Sequence, residues 1–226
     1  MCLIAYLPRG KIMTKEEIEK AWKVNGDGAG VSFLKENKWN IIKGITKLET
    51  LIEIVNKYKD NDKVVHFRLA STGGVAPELT HPFESRRYIL FHNGTWIEWY
   101  SYVTIIKILP ILKKRWLKYN KEMNYEPKII SDTKILAFLL YLVEKKPERK
   151  EVEEILRKAG KLIIIDKKTN KLTFYGHFED NDGRLFSNNS YKGFIPPTLV
   201  NNFGKYSNYY RKHNDSNYYR NQYKCF

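Results

Sequence analysis

Short strand signals that arrive in pairs constrain the fold of this chain more than any other feature of its sequence. Residues 30–34 and 39–43 are strand-like segments joined by the polar Glu36-Asn37-Lys38 connection. Residues 162–166 and 172–175 flank a Lys-Lys-Thr-Asn turn in the same way. Strands joined by such short turns pair antiparallel, because a parallel crossover needs a dozen or more residues. The sequence therefore predicts a largely antiparallel α+β fold.

Helix signals alternate with these strands. Thr14-Lys-Glu-Glu17 has the form of a capping box, and Ser131 is a candidate N-cap for a helix that reaches Val143. Apolar spacing predicts further helices over about 46–58, 96–119 and 149–159, and Pro110 predicts a break inside the second. Additional strands are predicted over 3–6, 63–69 and 87–92, with 184–187 as a last edge strand.

The composition changes after about residue 190. Asn, Tyr, Ser, Lys and Arg dominate that segment, and aliphatic residues nearly vanish beyond Val200. Such a segment buries too little apolar surface to offset the entropy lost on ordering. We therefore expect one domain over residues 1–190 and a mobile, basic Tyr/Asn-rich tail over 191–226. The tail has either a packing or partner role, or a nucleic-acid role in which tyrosines stack on bases and cations neutralise phosphates.

The charge and the apolar content of the chain limit which classes of function it can have. The formal net charge of +15 suits a polyanion partner, but a solvated lysine-rich surface explains it as well, since no recognition motif accompanies it. No run approaches the ~20 apolar residues of a membrane span, and no secretory leader is recognisable. Cys2 and Cys225 stand at opposite ends, which argues against a disulfide framework. We expect a cytoplasmic protein without a membrane partner, metal or cofactor.

Five stretches carry candidate chemistry, and each has an ordinary explanation when taken alone. They are MCLIAY (1–6), HFRLASTGG (66–74), THPF (80–83), LFHNGTW (90–96) and SDTKILA (131–137). A lone cysteine such as Cys2 is more often a small buried residue than a nucleophile. Asn93-Gly94 is a common turn dipeptide, and Asp132 stands in the first turn of a helix, where the dipole favours negative charge. Arg68 could pair with any carboxylate.

In chain order, these stretches resemble the glutaminase domain of class II glutamine amidotransferases, which are N-terminal-nucleophile hydrolases. The resemblance spans about residues 2–190, and the glycine-rich NGDGAGV segment (25–31) also fits it. It implies a four-layer αββα sandwich and removal of Met1, so that Cys2 presents a thiol beside a free α-amine. It further implies that L-glutamine is hydrolysed to glutamate and ammonia through a γ-glutamyl thioester on Cys2.

The resemblance also implies a role for each matching residue. Cys2 would be the nucleophile, and the Asn93 amide and Gly94 N–H would form the oxyanion hole. Arg68 would clamp the substrate α-carboxylate and Asp132 would pair with its α-ammonium group. Other implied substrate-binding positions are Ser71, Thr72 and His81; the last equally suits a role in ordering its loop. The Cys2 α-amine, with a reference pKa of about 7.7–8.0, suits a proton shuttle.

The chain also departs from the usual family pattern. Leu3 follows the nucleophile where glycine is usual, and Leu69 and Thr72 replace a tryptophan and a histidine. Members usually pass ammonia to a fused synthase domain, whereas here only the tail follows residue 190. We therefore expect either a separate acceptor subunit or a free-standing amidohydrolase acting on glutamine or another γ-glutamyl compound. The alternative is a non-catalytic scaffold whose tail binds nucleic acid or a protein.

Overall fold

The structure is a computed structural model that describes residues 2–70, 74–144 and 150–193. The strands are β1 (Leu3–Leu7), β2 (Ala29–Lys35), β3 (Lys38–Ile45), β4 (Lys63–Phe67), β5 (Phe83–Glu84), β6 (Tyr88–Asn93), β7 (Lys161–Asp166), β8 (Leu172–Tyr175), β9 (Glu179–Asn181) and β10 (Arg184–Phe186). The helices are α1 (Lys15–Val24), α2 (Leu48–Lys57), α3 (Trp99–Ile108), α4 (Pro110–Glu122), α5 (Asp132–Val143) and α6 (Lys150–Ala159). The predictions for Met1, Ser71, Thr72, residue 149 and the tail beyond 193 lie outside the described residues.

The strands form two antiparallel sheets, as the paired strand signals predicted. One sheet has six strands in the order β3-β2-β4-β1-β10-β9, and the other has four in the order β5-β6-β7-β8. The β2–β3 hairpin closes with Lys35 opposite Lys38, and Glu36 and Asn37 between them have φ of 52° and 59°. Two positive φ values match the twist of a two-residue hairpin turn. The predicted α+β class is confirmed.

One strand prediction was wrong in its position. Residues 184–187 were expected at a sheet edge, but β10 pairs with β1 on one side and β9 on the other. The edge strand β9 was missed because three residues carry no readable periodicity. A usable signal was present, however, since Asp182-Gly183 is a typical hairpin turn dipeptide and joins Asn181 to Arg184.

Local signals set the helix boundaries. The Thr14 side chain accepts from the Glu17 N–H, and Glu17 accepts from the Thr14 N–H, so the predicted capping box is confirmed. Leu109 is extended and ends α3, and Pro110 begins α4, as the predicted break requires. Among the described residues, no helix is both long and apolar enough to cross a membrane.

Three apolar clusters occupy the spaces between the layers of secondary structure. The first packs α1 and α2 on the six-stranded sheet through residues such as Leu3, Ile18 and Leu51. The second joins the two sheets, with Ile4 and Val64 of one sheet in the same cluster as four residues of the other: Ile89, Phe91, Ile163 and Ile165. The third packs the four-stranded sheet against α3–α6. Because both sheets bury residues on both faces, their central strands carry apolar residues on both faces.

The body of the fold continues past residue 190. Tyr191 is 1% exposed and its ring stacks on Phe186 with 3.8 Å between centroids. Its hydroxyl accepts from Asn181 Nδ2 at 3.0 Å. The last described residues are therefore held against β9 and β10.

Gly30→Ala is expected to destabilise the fold by about 1–3 kcal/mol through overpacking. A Cβ at position 30 would lie 1.8 Å from the His81 carbonyl oxygen and 3.2 Å from that of Ile42. The backbones of His81 and Ile42 must therefore move away from residue 30, and the His81 segment would be displaced from β2. Urea unfolding of the variant measures the loss; an unchanged midpoint would contradict this close approach.

Candidate active site

Cys2 stands immediately before β1, with its sulfur against the backbone at the end of β4. Its Sγ lies 3.4 Å from both Leu69 N, which donates to it, and Leu69 O, which accepts from it. The residue is 9% exposed. Burial raises the pKa of the thiol, and the Leu69 N–H and the Arg68 guanidinium oppose that rise in part. The sulfur is therefore a protonated thiol at neutral pH and needs a base in order to react.

A small cavity gathers most of the site residues that the sequence predicted. It has a volume of about 20 Å³ and includes Cys2, Arg68, His81, Gly94 and Asp132 among its lining residues. These five come from five separate segments of the chain. The volume suits about one water molecule, so a bound amino acid requires the lining side chains to move apart.

Opposite charges line this cavity. Arg68 is 4% exposed, and its Nη2 donates to Gly74 O at 2.7 Å. Asp132, also 4% exposed, opens α5 and accepts from Trp96 N at 3.1 Å and from Thr133 N at 2.8 Å. The guanidinium lowers the pKa of the Cys2 thiol and the carboxylate raises it. Both charges therefore act on the sulfur from within the same buried space.

The glycine-rich turn before β2 holds the end of β4 in place. Arg68 N donates to Gly28 O at 2.8 Å, and Asp27 N donates to Arg68 O at 3.0 Å. The Asp27 carboxylate also accepts from Ala70 N at 2.8 Å. The NGDGAGV segment thus positions the backbone that carries Arg68 and that contacts the Cys2 sulfur.

Asn93 and Gly94 follow each other at the end of β6 but face different surroundings. Gly94 lines the cavity, and a Cβ there would lie 2.8 Å from Ala159 O and 2.9 Å from His92 Nε2, so only glycine fits. Asn93 is 4% exposed, and its Nδ2 donates to Ser187 Oγ at 2.8 Å. Its Oδ1 is buried without a hydrogen-bond partner among the described residues. The structure brings Gly94 to the cavity and turns the Asn93 amide toward β10.

Three buried histidines and a threonine form a network beside the cavity. His81 Nε2 and His92 Nδ1 lie 2.9 Å and 3.0 Å from Thr133 Oγ1. His92 Nε2 lies 2.8 Å from Ala159 O, and His66 Nε2 lies 3.1 Å from His92 O. Because a carbonyl only accepts, both of these Nε2 atoms donate. Thr133 Oγ1 lies between the His81 and His92 rings and also 3.3 Å from Asp132 Oδ1, so its single proton serves only one of these three neighbours.

Sequence reasoning missed three members of this network: His66, His92 and Thr133. A signal was available, since each stands one or two positions from a residue that was singled out. His66 lies two residues before Arg68, and alternate strand residues share a face. Within the described part of the chain, no group of three or more His, Cys, Asp or Glu side chains is arranged to hold a metal ion.

The buried histidines make the stability of the fold depend on pH. Burial lowers the pKa of His66 from 6.5 to about 3, and burial also holds the pKa of His81 well below its usual range. The unfolded chain therefore takes up these protons first as the pH falls. Each such histidine stabilises the fold above pH 6.5, and that contribution is lost at about 1.4 kcal/mol per pH unit as the pH falls from 6.5 toward the folded pKa.

The free energy of unfolding is expected to fall by about 2 kcal/mol between pH 7 and pH 5 on account of His66 alone. His66→Gln removes the titrating group while keeping a donor for His92 O, so its unfolding free energy should depend less on pH. The exposed His177 offers the matched control, and His177→Gln should keep the wild-type slope. Urea unfolding at several pH values measures both; equal slopes in the two variants would contradict the assignment.

Comparison with known proteins finds a similar fold among solved structures but no match among protein families. No protein-family model matches the sequence, and no curated protein matches it. Among solved structures, the glutamine phosphoribosylpyrophosphate amidotransferase from B. subtilis, in complex with ADP and GMP, is similar with a TM-score of 0.52 at 13% identity. The likeness covers 84% of this chain and 42% of that one, so this chain spans less than half of that enzyme's length. The protein therefore shares the fold of the matched part of this amidotransferase, and at this level of identity the likeness extends to the fold alone.

Proposed function

We propose that this protein is a glutamine-hydrolysing enzyme of the class II glutamine amidotransferase type, with Cys2 as its nucleophile. The observation that carries the proposal is the convergence of Cys2, Arg68, Asp132 and Gly94 on one buried cavity. Opposite charges in the same cavity as a nucleophile suit a zwitterionic amino acid. We also infer the four-layer αββα arrangement, which is supported by the three apolar clusters.

The proposed reaction begins with the processed amino terminus. Removal of Met1 exposes the Cys2 α-amine, whose pKa lies near neutrality and which accepts the thiol proton as Sγ attacks the glutamine side-chain amide. Burial keeps the thiol protonated until the substrate arrives. The tetrahedral intermediate then expels ammonia, which takes its third proton from the α-amine. Water hydrolyses the resulting γ-glutamyl thioester to glutamate and restores the thiol.

The negative oxygen of that intermediate needs two hydrogen-bond donors. Gly94 lines the cavity and its N–H is assigned as the first donor, whereas the Asn93 Nδ2 donates to Ser187 Oγ. Ser187 Oγ already accepts from Ile4 N at 2.9 Å. Rotating the Asn93 amide by half a turn lets the Ser187 hydroxyl donate to Oδ1, which satisfies that buried oxygen and releases Nδ2. We assign Asn93 to the oxyanion hole in this rotated form.

The charged residues supply the substrate clamp. We assign Arg68 to the α-carboxylate and Asp132 to the α-ammonium group, with Ser71 and Thr72 as further substrate contacts. His81 lines the cavity and reaches Thr133, so it is assigned to positioning the substrate and the start of α5. Ammonia passes either to a separate acceptor subunit or into solution.

The decisive experiment combines intact mass, ammonia release and trapping. The protein is expected to lack Met1, to release ammonia from L-glutamine, and to be alkylated at Cys2 by 6-diazo-5-oxo-L-norleucine, an electrophilic glutamine analogue. Peptide mapping locates the adduct. A processed chain that neither releases ammonia nor takes up the label would contradict the proposal. Salt-dependent retention on nucleic acid that is lost on deleting residues 191–226 would then favour the scaffold alternative.

A further inference from the structure

A second and larger cavity lies next to the Cys2 cavity and takes no part in the proposed reaction. It has a volume of about 390 Å³ and lies between β3, the 77–84 segment and the connection from α4 to α5. Pockets of about 300–1,000 Å³ are typical of small-molecule sites. Its wall is shared with the first cavity, because Pro82 and Lys134 line it while their neighbours His81 and Thr133 line the other.

Two lysines converge on one aromatic ring in this cavity. Lys43 Nζ lies 5.1 Å and Lys134 Nζ 5.4 Å from the centroid of Tyr125. Lys43 Nζ is also 4.1 Å from the centroid of Phe83 and donates to Pro82 O at 3.2 Å. Lys134, which is 2% exposed, donates to two backbone carbonyls at 2.6 Å and 2.7 Å. An ammonium group has three N–H donors, so at least one donor of each lysine is not used by these carbonyls.

Neither lysine forms an ion pair with a carboxylate in the described part of the chain, although three glutamates line the same cavity. Within the described residues, no carboxylate oxygen lies within 4.0 Å of either Nζ. Glu78, Glu84 and Glu126 do line the cavity, but each is engaged elsewhere or exposed. Glu84 pairs with Lys167 at 3.2 Å, Glu126 accepts from Lys128 N at 3.1 Å, and Glu78 is exposed to solvent.

Burial disfavours the charged form of both lysines. Desolvation lowers the pKa of Lys43 to about 7 and that of Lys134 to about 7. For Lys134 the neighbouring Lys43 charge lowers it further. Glu84 and Glu78 oppose the fall at Lys43, and Glu126 opposes it at Lys134. A bound anion would replace the lost solvation of both groups and relieve their mutual repulsion.

We propose that this cavity binds a small anionic ligand, a carboxylate or phosphate carried on a flat apolar group. The anion would lie between Lys43 and Lys134, and the apolar group would lie against the rings of Phe83 and Tyr125. The aliphatic lining from Ile41 and Ile129 completes the apolar part of the wall. The site stands on its own residues and does not depend on glutamine hydrolysis.

The test uses benzoate and phenyl phosphate as probes, with benzamide and phenol as their uncharged counterparts. Isothermal titration at pH 6 should show at least one anion binding tenfold or more tightly than its counterpart, and the tighter anion identifies the preferred head group. Lys43→Met should weaken that binding at least tenfold. The exposed Lys38 on the same strand supplies the matched control, and Lys38→Met should bind like the wild type. Absence of binding at millimolar anion, or equal affinities in the two variants, would overturn the proposal.

A second measurement needs no variant and covers the case in which Lys43→Met does not fold. The charged groups that act on the two lysines are Glu78, Glu84, Glu126 and Arg68, and the pKa of each lysine, about 7, lies between pH 6 and pH 9. Anion affinity of the wild-type protein should therefore fall at least tenfold over this range as the lysines lose their protons. An affinity that stays constant would overturn the proposal.

Discussion

Cys2→Ala is expected to reduce ammonia release from L-glutamine to the uncatalysed background, a loss of roughly 10⁴-fold or more. The variant removes the only atom of the site that can form the γ-glutamyl thioester, while alanine fills nearly the same buried volume. The fold should therefore persist, with an unfolding free energy within about 1–2 kcal/mol of the wild type. A coupled assay for ammonia and glutamate measures the loss, and the electrophilic glutamine analogue should no longer label the chain.

Two further variants make this result interpretable. Cys225→Ser removes the other cysteine and should leave ammonia release unchanged, so any thiol effect then belongs to Cys2. Cys2→Ser keeps a smaller, less acidic nucleophile and should leave at most a trace of activity, because a hydroxyl is deprotonated far less readily than a thiol. Full activity in Cys2→Ala would exclude the thioester route.

Asn93→Ala is expected to lower kcat by about 10²–10³ with little change in KM, because an oxyanion donor acts mainly on the transition state. The same substitution also breaks the hydrogen bond to Ser187 Oγ. That loss should cost about 1 kcal/mol of stability and would occur even if Asn93 had no catalytic role. Steady-state kinetics and urea unfolding on the same preparation separate the two effects.

Ser187→Ala is the matched control for this prediction. It removes the same hydrogen bond and also the one from Ile4 N to Ser187 Oγ, so it should cost at least as much stability, but it leaves the Asn93 amide in place and free to rotate. Its kcat should therefore stay within about tenfold of the wild type, well above that of Asn93→Ala. Equal losses of kcat in the two variants would indicate that Asn93 acts only by holding β10 against the end of β6.

Much of the fold was predictable because its signals are local. The two hairpins followed from short strand-like segments around polar turns, and the start of α1 followed from the Thr14–Glu17 capping box. Pro110 marked the break between α3 and α4. Two short strands, β5 and β9, were missed, and β10 was placed at an edge because its second neighbour was not recognised.

The sequence predicted which residues form the candidate site, but it did not predict how they are arranged. Chain order pointed to Cys2, Arg68, His81, Gly94 and Asp132, and the structure places all five on one cavity. The roles given to them remain proposals, and those of Ser71 and Thr72 remain predictions. No sequence pattern indicated that the Asn93 amide would donate to Ser187, or that Thr133 would bridge two histidines.

The sequence by itself determined the strand pairs, the helix ends and the residue types that could do amide chemistry, since each depends on neighbours a few positions away. Only the tertiary structure decided how closed the Cys2 cavity is, which histidines are neutral and where two lysines meet an aromatic ring. These properties depend on desolvation and packing, which arise when segments distant in the chain, such as residues 2, 68, 94 and 132, exclude water from one another.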